Sequence, residues 1–151
     1  MLTALNDALL QQRPERVCTV AYVRVQLGPG ATARVTICLG GHPRPLAVRR
    51  RGEPLPVGRF GSVLGAIPCP RLEETAITLE QGDGLLLYTD GVVEGRHDGQ
   101  FFGEQRLSDL AGALRDRSAA TIADEVAAAA VDHHGGLPAD DLAVVVVRCA
   151  P

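Results

Sequence analysis

Two stretches place carboxylates where they could act together. In "GDGLLLYTDGVVEG" (82–95), four apolar or aromatic residues run straight into Thr89-Asp90-Gly91. In "ADDLAVVVVR" (139–148), the pair Asp140-Asp141 introduces the other strongly apolar run. Each apolar run reads as a central strand, so Asp90 ends one strand and Asp140 begins another. In an antiparallel pair, the C-terminal end of one strand lies beside the N-terminal end of its neighbour. If these strands are neighbours of that kind, both carboxylates emerge at one rim of the sheet, where they repel unless a cation sits between them. Oxygen-only ligands select a hard divalent ion such as Mg²⁺ or Mn²⁺ over zinc, which prefers nitrogen and sulfur. The competing reading makes both aspartates turn and cap residues, and spacing alone leaves the two open.

Other chemistries are thinly provided for. All fifteen basic residues are Arg. With no Lys there is no Schiff base, P-loop lysine or Ser–Lys dyad. None of the three serines sits in G-x-S-x-G. His42, between two glycines and Pro43, reads as a turn residue of restricted backbone rather than an acid–base group. His133 and His134 are adjacent, so on a helix they point about 100° apart and cannot share one ion; they read as partners of a helix C-terminal dipole. His97-Asp98-Gly99 reads as a loop tip, and Glu94 as a solvated side chain. An EF-hand starting at Asp90 fails, because Val92 and Glu94 fall at positions three and five without a glycine at six.

The net charge of −3 argues against a general nucleic-acid surface. The one basic cluster, Arg49-Arg50-Arg51, reads as a solvated hairpin edge. Cys18, Cys38, Cys69 and Cys149 form no C-x-x-C pair and read as buried, reduced thiols of a cytosolic protein. The N-terminus lacks a charged n-region, and no apolar run approaches the ~20 residues that span a bilayer, so the expected setting is cytoplasmic and off the membrane.

The elements that must position these groups follow from periodicity. Leu2, Leu5, Leu9 and Leu10 predict a short amphipathic helix over 2–12. Strands are expected at 17–27, 32–40, 45–50, 74–79, 85–89 and 140–148, and helices at 103–116 and 118–135, the latter capped by Ser118. Residues 52–70 hold four Pro and four Gly and are expected to be an ordered, irregular loop crossing the domain. Hairpin connections dominate, which predicts an α+β fold: a largely antiparallel sheet with helices packed against it.

Taken in order, "GGHPRPLAVRR", "GSVLGAI", "LEQGDGLLLYTDGVVEG" with "FFGEQRL", and "ADDLAVVVVR" resemble the PPM-type (type 2C) metal-dependent protein phosphatases. The resemblance is closest to their bacterial branch, the stage II sporulation protein E-like phosphatases that regulate sigma factors. It implies an α/β/β/α arrangement in which an antiparallel β-sandwich is flanked by helices, here in a partial version. It also implies a binuclear Mg²⁺ or Mn²⁺ centre and hydrolysis of phosphoserine or phosphothreonine by metal-activated water, with no protein nucleophile. By the same resemblance Asp90 and Asp140 match metal ligands, and Asp141 falls where relatives carry Asp or Asn. The implied partner is a phosphorylated anti-sigma-factor antagonist.

One departure qualifies this. The family places two further acidic motifs upstream of the helix that here opens the chain, and residues 1–151 contain neither. The expectation is therefore a single domain corresponding to the C-terminal two-thirds of a phosphatase domain. Two carboxylates cannot hold two ions that each want about six oxygen ligands, so metal binding and turnover by these residues alone should be weak. A catalytically degenerate fragment, serving as a regulatory or binding module, is the alternative. An unpaired sheet edge is also expected, inviting homo-oligomerisation.

Overall fold

The computed structural model describes residues 1–12, 16–135 and 141–149. Helix α1 (Leu2–Gln12) is followed by strands β1 (Val20–Leu27), β2 (Ala33–Gly40), β3 (Leu46–Val48), β4 (Leu55–Pro56), β5 (Glu74–Leu79) and β6 (Gly84–Tyr88). A single helical turn α2 (Asp90–Val93), a small hairpin β7 (Arg96–His97) and β8 (Gln100–Phe101), helices α3 (Gly103–Ala113) and α4 (Ala119–His133), and strand β9 (Val144–Arg148) complete the order.

Two sheets carry the fold, ordered β1-β2-β5 and β4-β3-β6-β9. All the strand pairings are antiparallel. Side chains alternate across each strand, so central strands such as β2 and β6 each serve two cores. Between the sheets lie Val35, Ile37, Leu39, Leu79 and Leu85. The outer face of the second sheet presents Leu46, Val48, Leu86 and Tyr88 to Leu107, Ala111, Ile122, Val126 and Ala130 of α3 and α4. The outer face of the first sheet packs Cys38 against Leu2 and Leu64, beneath α1. The architecture is thus α+β, a helix-flanked antiparallel sandwich in four layers.

Ser118 caps α4 as expected, its hydroxyl accepting from the Thr121 amide at 3.1 Å. The loop 52–70 is ordered and crosses the domain, held by the Gly41 amide donating to the Gly61 carbonyl and the Ser62 amide to that of Arg71. Within it, Leu55–Pro56 pairs with β3, and Leu64 bridges Cys18.

Three sequence expectations need correcting. In α1 the buried face is Leu2 and Asn6, while Leu5 is 41% exposed. Asn6 is fully buried because its amide accepts from the Gly65 amide at 2.9 Å and donates to the Ile67 carbonyl at 3.1 Å, clasping the crossing loop. All four cysteines are free, but only Cys38 is buried, and Cys18 and Cys69 are exposed. Arg49 is no solvated edge: it pairs with buried Asp83. As expected, His133 lies in the last turn of α4 and His134 caps it, and both also reach the β7–β8 hairpin. The His133 ring meets His97 and the edge of Phe102, and the His134 ring lies against Gly95. The hairpin turn itself has Asp98 and Gly99 at φ 49° and 79°, the backbone of a tight two-residue β-turn.

Candidate metal-binding rim

The rim is built where β6 and β9 meet. Their register runs from Gly84 opposite Arg148 to Tyr88 opposite Val144. One residue further, the Thr89 amide donates to the Ala143 carbonyl at 3.1 Å. The Thr89 hydroxyl then donates to the Asp141 main-chain carbonyl at 2.8 Å and accepts from the Ala143 amide at 2.9 Å. Thr89 is extended (φ −81°, ψ 159°), and the chain turns into α2 directly after it. Gly91 and Val92 are buried beneath that turn, which leaves Asp90 exposed at its start, one carboxylate oxygen accepting from the Gly91 amide at 3.0 Å.

Asp90 and Asp141 therefore flank a single hydrogen-bonded threonine at one end of the second sheet. Asp141 is exposed. Asp140, the third predicted ligand, lies outside the described residues.

Two further side chains reach this end of the sandwich, and sequence reasoning assigned neither to it. His42 follows Gly41, whose φ of 69° makes the turn after β2. Burial holds the imidazole below its ordinary pKa, with the charge of Asp90 acting in the opposite direction. Its Nδ1 is buried without a hydrogen-bond partner. Tyr88 is 4% exposed. Burial, with the charge of Glu104 adding and that of Arg44 opposing, pushes its phenol up to about 12. The signal for His42 was present in the order of strands: β2 and β6 share the inter-sheet core, so the segment leaving β2 can reach the end of β6.

In kind, the donors on this rim fit a hard divalent ion, since Asp90 and Asp141 offer only oxygen. In number they do not. Among the described residues, no group of three or more His, Cys, Asp or Glu side chains stands together to hold a metal ion.

The other acidic site lies at the opposite end of β6. Asp83 is 5% exposed and accepts from Arg49 at 2.6 Å and from the amides of Arg50 and Glu80 at 3.1 Å each. Burial raises its pKa, but these donors outweigh burial and hold it below the ordinary carboxylate value. Register could have revealed the pair. Val48 stands opposite Gly84, which sets Arg49 beside Asp83.

A family model described as Stage II sporulation protein E (SpoIIE) matches residues 1–150. No curated protein sequence matches the chain. Among solved structures, the phosphatase domain of the cell fate determinant SpoIIE from Bacillus subtilis, presoaked with Mn, superposes with a TM-score of 0.69 at 20% identity, over 99% of this chain and 64% of its own. The RsbU and RsbW domains of a Mycobacterium tuberculosis protein superpose with a TM-score of 0.78 at 21% identity, over 99% and 42%. The SiaA-PP2C domain of Pseudomonas aeruginosa gives 0.72 at 14% identity, over 97% and 58%. The chain thus spans less than two-thirds of the length of each of these structures, and at such identities the likeness is one of fold. With the family model matched over nearly every residue, the chain belongs to the stage II sporulation protein E family.

Proposed function

We propose that residues 1–151 are the C-terminal two-thirds of a metal-dependent serine/threonine phosphoprotein phosphatase domain, and that Asp90, Asp140 and Asp141 are its share of the metal ligands. The observation that carries this reading is the hydrogen bond from Thr89 to the Asp141 carbonyl, which sets Asp90 and the start of β9 side by side. When bound, Mg²⁺ or Mn²⁺ would provide a metal-activated water for phosphoester hydrolysis. Because the family's two further acidic motifs lie outside residues 1–151, the activity belongs to a larger assembly than these residues alone. The substrate class implied by the family is a phosphorylated anti-sigma-factor antagonist, met in the cytoplasm. No described helix is long and apolar enough to cross a membrane.

The test is Mn²⁺-dependent hydrolysis of p-nitrophenyl phosphate by a polypeptide in which the acidic upstream strands of a family member precede residue 1. That protein should turn over, residues 1–151 alone should show far less, and Asp90→Asn and Asp140→Asn should each abolish activity. Turnover retained in either variant would remove the metal roles.

The absence, among the described residues, of any group of three or more His, Cys, Asp or Glu side chains that could hold a metal favours a second reading, a regulatory or binding module without turnover. It predicts that the extended protein binds a phosphorylated antagonist with an affinity unchanged by Asp90→Asn and never hydrolyses it.

A further inference from the structure

The end of the second sheet away from the aspartate rim gathers cations. β6 (Gly84–Tyr88) runs between the two ends, so roughly 15 Å of strand separates them. Arg49, Arg50 and Arg51 follow β3 directly, and Arg148 is the last residue of β9, opposite Gly84. Arg49 is neutralised, since Asp83 accepts from it at 2.6 Å. The others are not: among the described residues, Arg50, Arg51 and Arg148 form no ion pair. Arg148 donates to two main-chain carbonyls, that of Gly82 at 2.6 Å and that of Arg117, which orients the guanidinium without cancelling its charge.

The β5–β6 turn joins these groups. Gly82 has φ 88°, and a Cβ there would stand 2.8 Å from Arg50 Cδ and 3.3 Å from its Nε. Gly82 therefore has Arg50 against its α-carbon and Arg148 on its carbonyl, which brings two guanidinium groups to one turn. Asp83, next in the chain, accepts from the Arg50 amide as well as from Arg49 and the Glu80 amide. The segment that carries Arg50 and Arg51 is thus pinned to the turn.

Two cavities open here. One of about 660 Å³ is lined by Arg49, Arg50, Arg51, Thr78, Glu80 and Asp83. The other, of about 500 Å³, has Gly82, Asp116, Arg117 and Arg148 on its walls. Five arginines thereby face three carboxylates, one of them already committed to Arg49, in a chain whose net charge is −3. No side chain lining the larger cavity is aromatic or aliphatic, so it offers nothing on which a base or an acyl chain could rest. Guanidinium forks match phosphate oxygens in pairs and keep their charge at every physiological pH.

We propose that this turn is a binding site for a diphosphate-class anion (inorganic pyrophosphate or the phosphates of a nucleotide), held by Arg50, Arg51 and Arg148 around Gly82. Three unpaired cations call for more charge than one phosphate carries. The bound anion ties the end of β3, the β5–β6 turn and the end of β9 together, so binding stabilises the fold by mass action. The site does not touch the metal rim, and it stands whether or not the chain hydrolyses phosphoesters.

The test titrates residues 1–151 with pyrophosphate in the presence of EDTA, by calorimetry and by thermal melting. Saturable 1:1 binding and a rising Tm are expected. Arg50→Gln combined with Arg51→Gln, both exposed, should weaken binding about tenfold or more while the Tm of the free chain stays unchanged. Arg24→Gln combined with Arg34→Gln removes the same charge from exposed positions on β1 and β2 and should leave the affinity within about twofold. ADP should bind as well, the tighter of ADP and pyrophosphate identifying the source, and adenosine should not compete. A lack of saturable binding, equal weakening by the two double variants, or competition by adenosine would each overturn the proposal.

Discussion

The hydroxyl of Thr89 donates to the main-chain carbonyl of Asp141 at 2.8 Å and accepts from the amide of Ala143 at 2.9 Å, tying the exit of β6 to the entry of β9. One side chain thereby ties Asp90 to the segment that carries Asp141. Thr89→Val keeps the shape but removes both bonds and leaves the Ala143 amide without its acceptor. A loss of about 1 kcal/mol is expected, or roughly 2–4 °C in Tm, with Thr89→Ser restoring most of it by calorimetry.

Asp83 should dominate the acid side of the stability profile. Its folded pKa lies below its ordinary value of 3.8, so the ionised form stabilises the fold. That contribution is complete above the ordinary value and is lost as pH falls through the depressed one. Asp83→Asn should cost about 2 kcal/mol at pH 7, since Arg49 and two amides lose a charged acceptor. Urea midpoints should show the gap between wild type and variant closing below about pH 4.

Tyr88 governs the alkaline side. Its phenol is raised from 10.0 to about 12, so stability is fully present below pH 10 and is lost as pH rises through 12. The contribution is on the order of 2–3 kcal/mol. In a Tyr22→Phe background, absorbance at 295 nm should rise together with the loss of helical circular dichroism above about pH 11. A phenol ionising near pH 10 in the intact fold would refute the burial argument.

Gly61→Ala should be among the most damaging single changes in the crossing loop. An added Cβ would overlap the Leu39 carbonyl oxygen and stand 2.8 Å from that of Arg71, both of them backbone. Neither can move without breaking β2 or the Ser62–Arg71 bond. The expected cost is about 3 kcal/mol, read from thermal melts, with Gly30→Ala as a partial control because open space surrounds Gly30.

The antiparallel strands and flanking helices were legible because apolar runs and hairpin turns leave few alternatives, whereas the second sheet was implied only by the family resemblance. Glu74–Leu79 matches its predicted bounds residue for residue. α2 was not legible, since one turn of four residues carries no periodicity. Asn6 and Leu5 exchanged places because hydropathy ranks Leu above Asn, whereas the crossing loop offers a donor and an acceptor that only an amide satisfies. At the rim, Asp90 could be read from the sequence because it interrupts an apolar run. His42 was harder to read, because its proximity to Asp90 follows only from the order of strands, with nothing local to announce it.

The cysteine under α1 gives the chain a built-in gauge of how firmly its first helix is seated. Cys38 is 6% exposed, its thiol is pushed up by burial and further by the charge of Glu74, and Leu2 lies over it, whereas Cys18 and Cys69 face solvent. A maleimide should label the two outer thiols at once and Cys38 only when α1 lifts away, so Asn6→Ala, which opens the amide clasp, should accelerate labelling at Cys38 alone.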